Sequence, residues 1–377
     1  GVLGMWALSN LTLYVLNTLG MLPAYWGVGL VVYGLIYIFR FRDYKDLFED
    51  TYTLGRSLSQ LRGILAFLEE YPYPPGSRLG ELCAPFWRAA HPPSRYLKRL
   101  VWLTSAAGVG NSQVFGFLIN LVLPWNFFFA YLLGGYKAGL RDSLSGWLDT
   151  WYELEALNSL ANFAYLNPDY CFPQFAARDS GDKPVFDGRD LGHPLLVDAV
   201  KVCNDFSLSR LGEVAIITGS NMSGKSTFLR TVGVNLCLAQ AGGVVNATSL
   251  RTNLVRLFTC IQVSDSLNDG ISYFYAEVRR LKALLQAIQE ESVYPLFFLI
   301  DEIYRGTNNR ERQIGSQAYI RALASYCGVG LVSTHDLELV KLADQEMDKN
   351  TNILNYHFRE EVIAERMVFD YRLRPGP

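Results

Sequence analysis

The sequence lacks the cysteine and histidine spacing of a metal site or a disulfide framework. Its 377 residues include four histidines and six cysteines, and no two cysteines form a C-x-x-C pair. This scarcity argues against a zinc-dependent function and favours a reducing compartment. A net charge of −2 also excludes binding of nucleic acid through overall charge, so any such contact requires a local basic patch.

Charge is missing from the N-terminal segment. Residues 1–39 contain no Asp, Glu, Lys or Arg. Residues 20–23 divide this run into halves of about 18 residues, near the minimum length for crossing a bilayer. Arg40, Arg42 and Lys45 follow, as expected of a cytoplasmic flank. We expect a membrane-spanning helical hairpin that anchors a cytoplasmic domain at the inner face of the cell membrane. A pair of buried core helices is the alternative.

A glycine-rich loop follows an apolar run that ends at Thr218. The loop reads GSNMSGKS from Gly219 to Ser226 and fits the G-x-x-x-x-G-K-[ST] pattern at every constrained position. Its glycines let successive N–H groups converge on phosphate oxygens, and a helix beginning near Thr227 would direct its positive end at the anion. Lys225 would reach the β and γ phosphates, and Ser226 would bind Mg²⁺. The alternative is a Gly/Ser turn without a ligand. The predicted nucleotide-binding residues are Gly219, Ser220, Asn221, Met222, Ser223, Gly224, Lys225, Ser226 and Thr227.

An apolar run that ends in two acidic residues forms a second motif. Residues 296–302 read LFFLIDE, which predicts a buried strand with two carboxylates at its carboxyl end. Asp301 would hold Mg²⁺ through water, and Glu302 would act as general base on the attacking water. The alternative is that the two acids only cap the next helix.

A histidine follows the next predicted strand. Residues 330–336 read GLVSTHD, and His335 would lie where it could sense the γ-phosphate. A purely structural histidine is the alternative.

The sequence divides near Gln174. The preceding part looks helical, with a long amphipathic helix that should end near Leu166, where Asn167 and Pro168 follow. After a loop over residues 173–194, β-rich runs alternate with helical patterns, which is typical of an α/β domain with a mostly parallel sheet. The expected domains are a hairpin at 1–39, a helical core or lever-like region at 40–173 and an α/β P-loop domain at 174–377.

Several stretches together resemble the ATPase domain of the MutS family of DNA mismatch repair proteins. They read TGSNMSGKST at 218–227, DEIYRGT at 301–307 and STHD at 333–336. Two further similar stretches are Gly192-His193-Pro194, before the first strand, and DSLNDGISYF at 265–274. The resemblance is specific over residues 192 to about 340. It implies an ABC-class P-loop ATPase that uses ATP and Mg²⁺, binds DNA and works as a homodimer with composite sites.

The resemblance also implies roles for two further residues. Ser272 lies in the segment that corresponds to the family's signature, whose serine reaches the nucleotide bound by the opposite subunit. The alternative is that Ser272 only caps the helix Tyr273–Gln289. Val202 is expected near the adenine.

The sequence departs from the family in two places. No counterpart of the mismatch-reading Phe-x-Glu element can be placed, because Phe67-Leu68-Glu69 lies in a predicted ordinary helix. Tyr304 stands where better-known members have glycine. The sequence is most similar to a MutS-related subgroup with membrane-like N-terminal segments and no mismatch-reading domain.

The expected function is ATP-dependent DNA binding, in which hydrolysis at composite dimer sites drives a clamp or lever motion for mismatch repair or a related DNA transaction. The alternative is an ABC-type ATPase that drives a membrane process without DNA. A transporter ATPase should carry a Leu-Ser-Gly-Gly-Gln-like signature, which is missing. A non-hydrolysing scaffold should lack the general base, but Glu302 is present.

Overall fold

The structure is a computed structural model that describes most of the chain. It covers residues 2–36, 39, 61–88, 92–110, 116, 119–120, 123–176, 184–261, 273–304, 309–342, 352–363 and 366–376. The predicted trans-acting Ser272 and the basic flank at 40–45 lie outside these ranges. The chain divides into two compact units, Gly1–Leu157 and Asn158–Pro377. This boundary lies inside a long helix ahead of Gln174, and the predicted domain boundaries stay predictions.

Helices predominate in the described part of the first unit. Residues 26–36 and 61–70 are helical, and the latter range contains Phe67-Leu68-Glu69, as predicted. The other helices are α1 (Val2–Thr18), α2 (Arg78–Leu82), α3 (Ala84–Trp87), α4 (Pro93–Val109) and α5 (Trp125–Leu166). Leu97, Leu100 and Leu103 recur every third residue on α4 and belong to the same buried cluster as Leu133 of α5. One apolar face of α4 therefore contributes to the core of this unit.

The predicted membrane hairpin is not supported. The two apolar halves are helical and in contact, since Nε1 of Trp6 donates a hydrogen bond to the carbonyl oxygen of Gly29 at 3.1 Å. Helix α1 has 17 residues, whereas a bilayer crossing needs about 20. Among the described residues, no helix combines the length and the apolar character needed to cross a membrane.

The second unit contains two sheets. The smaller has the strand order β1-β5-β2-β3, and the larger has the order β10-β9-β4-β8-β7-β6. In the larger sheet every neighbouring pair is parallel except β9 with β10. The mostly parallel sheet predicted for this region is thus confirmed. The strands are β1 (Gln174–Phe175), β2 (Phe186–Leu191), β3 (Asn204–Leu208), β4 (Val214–Thr218), β5 (Ser249–Thr252), β6 (Arg256–Cys260), β7 (Leu296–Asp301), β8 (Val329–Ser333), β9 (Ile353–Ile363) and β10 (Arg366–Pro375).

Helices cover both faces of the larger sheet. They are α6 (Lys225–Gln240), α7 (Tyr273–Gln289) and α8 (Asn309–Ala324). Side chains alternate along β4, so Ala215 and Ile217 pack in the cluster that includes residues of α6. Val214 and Ile216 pack in the cluster that includes residues of α7 and α8. Burial on both faces explains why β4 is apolar at nearly every position.

Two predicted boundaries differ from the structure, and a third is confirmed. The helix after the glycine-rich loop begins at Lys225, not near Thr227, because Gly224 already forms its N-cap with φ of 108°. The Gly192-His193-Pro194 stretch follows β1 and β2 and does not precede the first strand, since Gly and Asp residues within β2 weaken its sequence pattern. The long helix begins directly after Pro124 and ends at Leu166, so its predicted end is confirmed.

Candidate functional site

The loop between β4 and α6 has a backbone that only glycine adopts easily at its two ends. Gly219 has φ of 144° and Gly224 has φ of 108°. A Cβ added to Gly219 would lie 2.7 Å from Oγ of Ser223 and 2.9 Å from the carbonyl oxygen of Phe358. The loop therefore follows its tight path because no side chain intervenes. At its end, Gly224 forms the N-cap of α6, and the N-terminus of a helix favours negative charge.

The side chain of Lys225, the first residue of α6, lies against the backbone of this loop. The residue is 4% exposed, and its ammonium donates hydrogen bonds to the carbonyl oxygens of Gly219 and Ser220, both at 2.7 Å. Nζ is also 3.3 Å from Nδ1 of His335. The charge of Lys225 is thus held between the loop backbone and His335, two residues after β8.

The acidic motif meets the glycine-rich loop at Asp301. Oδ1 of Asp301 accepts hydrogen bonds from Oγ of Ser226 at 2.9 Å and from Oγ of Ser333 at 2.7 Å. These residues converge because β4, β8 and β7 are adjacent parallel strands whose carboxyl ends share one edge of the sheet. A hydroxyl and a carboxylate form an oxygen ligand set that suits Mg²⁺. The residues present therefore fit the expected metal.

Glu302 and His335 form a second contact at the same edge. Oε1 of Glu302 lies against Nε2 of His335, and Nδ1 of His335 is 3.3 Å from the carbonyl oxygen of Gly219. The backbone of Glu302 is left-handed, with φ of 56°. Its N–H donates to both the carbonyl oxygen and Oγ of Ser333, at 3.2 and 3.0 Å, which holds this conformation. His335 thus contacts both the predicted base, Glu302, and the glycine-rich loop.

A cavity of about 430 Å³ opens beside Lys225, Ser226 and Glu302, whereas Asp301 and His335 do not line it. Several of the predicted residues line it: Val202, Asn221, Met222, Gly224, Lys225, Ser226, Thr227 and Glu302. Gly219, Ser220 and Ser223 belong to the same loop but do not line this cavity. No group of three or more His, Cys, Asp or Glu side chains that could hold a metal occurs in the described part of the chain.

Sequence reasoning missed the cavity walls formed by the C-terminal hairpin. Phe358 of β9 and Tyr371 of β10 line the cavity, and so does Asn204 of β3. The amide of Asn204 donates to the carbonyl oxygen of Tyr371 at 3.0 Å and accepts from the N–H of Leu373 at 2.7 Å. This bidentate contact holds an irregular part of β10 beside the loop. No local motif marks these residues, because Asn204 lies before the glycine-rich loop and the strands of Phe358 and Tyr371 follow the last recognised motif.

His193 also lines the cavity. Burial, with a smaller contribution from Arg230, lowers the pKa of His193 below its ordinary value. The neutral ring fits its contact, since Nδ1 accepts the N–H of Leu195 at 3.2 Å. Asn235 positions this segment, because its fully buried amide donates to the carbonyl oxygen of Gly192 at 3.0 Å.

The fold and the site define a mixed α/β domain with a phosphate-loop sequence between its central strand and the following helix. Residues 215–377 match the family model for MutS domain V. The DNA mismatch repair protein MutS 2 of Halobacterium salinarum is 34% identical over 232 residues, which cover 59% of this chain and 25% of that relative. The C-terminal region of the chain is therefore similar to MutS domain V, and the chain spans about a quarter of the length of this relative.

Proposed function

We propose that this chain is an ABC-class ATPase that binds ATP with Mg²⁺ and hydrolyses it. The observation that carries this proposal is the convergence of Lys225, Ser226, Asp301, Glu302 and His335 at one edge of a parallel sheet. These five side chains come from three separate sequence motifs. A phosphate-loop sequence alone supports nucleotide binding, whereas a carboxylate beside the site adds a group able to take a proton from water.

Each side chain has a specific role in this proposal. The ammonium of Lys225 and the N–H groups of the loop hold the phosphates, and Ser226 with Asp301 holds Mg²⁺. When bound, Mg²⁺ neutralises charge that develops on the phosphate oxygens. Glu302 accepts a proton from the attacking water. His335 orients the Glu302 carboxylate and lies where it can sense the γ-phosphate.

The cavity beyond the loop suits the nucleoside part of ATP. Its walls include Val202 and Tyr371, and an apolar surface of this kind accepts a planar base. Asn221 and Met222 of the phosphate loop line the same cavity. We propose that Val202 contacts the adenine.

We also propose that the protein acts on DNA as a homodimer with composite ATP sites. Support comes from the match of residues 215–377 to MutS domain V and from the name of the Halobacterium relative, a DNA mismatch repair protein. Ser272 of each subunit would donate its hydroxyl to the nucleotide held by the other subunit. ATP binding would then close the dimer and drive a clamp or lever motion on DNA in mismatch repair or a related DNA transaction.

Two assays test the proposal. In the first, wild-type protein should bind and hydrolyse ATP, Lys225→Ala should lose nucleotide binding, and Glu302→Gln should bind ATP while its turnover falls by orders of magnitude. Turnover at the wild-type rate in Glu302→Gln would show that another group is the base.

In the second assay, binding to homoduplex, mismatched and branched DNA is titrated with salt, with and without ATP. A steep salt dependence is expected from phosphate contacts, and absence of binding to all three would contradict the DNA role.

A further inference from the structure

A strained backbone segment directly follows the proposed base. Glu302 and Tyr304 both have left-handed backbones, with φ of 56° and 58°. Residues other than glycine rarely adopt this conformation, so surrounding contacts must hold it in place. Ile303 between them is buried, which leaves the segment little room to move. The direction of the Glu302 side chain therefore depends on what fixes the backbone on either side of Ile303.

Backbone hydrogen bonds fix both sides. The N–H of Glu302 is bonded to Ser333 of β8, as described above. The N–H of Tyr304 donates to Oε1 of Glu277 at 2.5 Å. Glu277 lies in the first part of α7 and is only 5% exposed. A buried carboxylate that accepts the N–H of a left-handed residue stabilises that conformation directly.

The ring of Tyr304 is fixed as well. It packs edge-on against Tyr319 of α8, with ring centroids 6.3 Å apart. A Cβ added to Gly315 of α8 would lie 3.2 Å from Cε2 of Tyr304, so the glycine leaves space for the ring. The hydroxyl of Tyr319 in turn donates to the carbonyl oxygen of Leu281 in α7. Tyr304, which replaces the glycine of better-known family members, is thus connected to both helices.

We propose that Glu277 is a positioning residue for hydrolysis, which rests on the proposed ATPase function. Its carboxylate holds the N–H of Tyr304 and thereby keeps the segment 302–304 in the conformation that directs Glu302 toward the site. Because Glu277 belongs to the helix that begins directly after Ser272, a shift of α7 changes the position of the base. Glu277 acts through the backbone and does not touch the nucleotide.

Two substitutions in the 377-residue chain separate the effect of the length of the Glu277 side chain from the effect of its charge. Glu277→Gln keeps an oxygen at the same distance and removes the charge, whereas Glu277→Asp keeps the charge and withdraws the oxygen by one methylene. We expect Glu277→Gln to keep kcat within about 3-fold of wild type. Glu277→Asp should lower kcat on the order of 10-fold to 100-fold, since small displacements of a reacting group have effects of this size. The reverse order of the two variants would overturn the proposal.

Two further measurements exclude a merely structural role. The dissociation constant for a non-hydrolysable ATP analogue should stay within about 2-fold of wild type in Glu277→Asp, because the phosphate loop is not touched. Equal losses of binding and kcat would indicate general disruption and overturn the proposal. In a Tyr304→Gly background, where the left-handed backbone is no longer strained, Glu277→Asp should have a clearly smaller effect on kcat. An unchanged effect in that background would also contradict the proposal.

The activity of the wild-type protein distinguishes failure of the proposed ATPase function from failure of the proposed role of Glu277. If wild-type protein hydrolyses ATP and Glu277→Asp retains its full kcat, only the role of Glu277 is wrong. If wild-type protein shows no hydrolysis, both the proposed ATPase function and the role of Glu277 are overturned.

Discussion

Oγ of Ser226 donates a hydrogen bond to Oδ1 of Asp301 at 2.9 Å, although the two residues are 75 positions apart in the chain. Ser226 belongs to the first turn of α6, and Asp301 is the last residue of β7. The contact therefore joins the glycine-rich loop to the acidic motif. Ser333 donates to the same carboxylate oxygen and fixes its direction.

The first prediction concerns Mg²⁺. Ser226→Ala and Asp301→Asn should each raise the Mg²⁺ concentration for half-maximal ATP hydrolysis by about 10-fold or more, because each removes or weakens an oxygen ligand. Ser226→Thr is the matched control, since it keeps a hydroxyl that the loop pattern permits. Steady-state rates measured over a Mg²⁺ titration test this. An unchanged Mg²⁺ requirement in Asp301→Asn would contradict the assignment.

The second prediction concerns the shape of the glycine-rich loop. Gly219→Ala should weaken ATP binding and lower the free energy of unfolding by about 1–3 kcal/mol, because the added Cβ meets Ser223 and Phe358 in a left-handed backbone. Isothermal titration with ATP and thermal unfolding measure the two effects.

Gly242→Ala is the control for the loop variant. Gly242 also has a positive φ, of 85°, but no heavy atom of the described residues would lie within 4 Å of its added Cβ. The Gly242→Ala protein should lose some stability and keep its affinity for ATP. Equal losses of ATP affinity in the two variants would show that the close fit at Gly219 does not shape the site.

The third prediction concerns the composite site. Ser272→Ala should leave ATP affinity nearly unchanged while it weakens ATP-dependent dimerisation and hydrolysis, because the hydroxyl acts on the partner's nucleotide. Mixing Ser272→Ala with Lys225→Ala protein should restore at most one active site per heterodimer. Analytical ultracentrifugation with and without ATP, combined with rate measurements, tests this. Full activity in a strictly monomeric preparation would contradict action in trans.

The fourth prediction concerns pH. Burial, followed by the charge of Arg230, lowers the pKa of His193 in the folded chain, so the unfolded chain binds more protons at this site. The contribution of neutral His193 to stability is fully present above the ordinary histidine pKa of about 6.5 and is lost as the pH falls through the lowered value. The unfolding temperature of wild type relative to His193→Gln should therefore decrease from pH 8 to pH 5. If the difference in unfolding temperature between wild type and His193→Gln did not change with pH, the titration of His193 would not contribute to stability.

Local patterns in the sequence sufficed for the central part of the second unit. The apolar runs before Gly219 and Asp301 predicted the strands β4 and β7, because a strand buried on both faces must be apolar at nearly every position. The pattern of the glycine-rich loop predicted its phosphate-loop residues, since each constrained position reflects a local backbone or charge requirement. The helix Tyr273–Gln289 was predicted with both of its ends.

The same kind of local pattern did not suffice at the N-terminus. The lack of charge in residues 1–39, the length of the two halves and the basic residues that follow predicted a membrane hairpin, which the described helices do not support. Absence of charge is common to membrane helices and to helices buried in a protein core, so composition does not separate the two. Helix length separates them only when the structure shows where each helix begins and ends, and α1 ends at Thr18.

Tertiary structure decided which distant residues share the site. The order of β4, β8 and β7 brings Ser226, Asp301 and His335 to one edge, and strand order depends on packing between segments and not on any single segment. Phe358 and Tyr371 join the cavity only because the C-terminal hairpin pairs beside β4. The contact between Glu277 and Tyr304 likewise depends on where α7 packs. The sequence by itself thus determined the chemical groups and their local backbone, whereas long-range packing determined which of these groups meet.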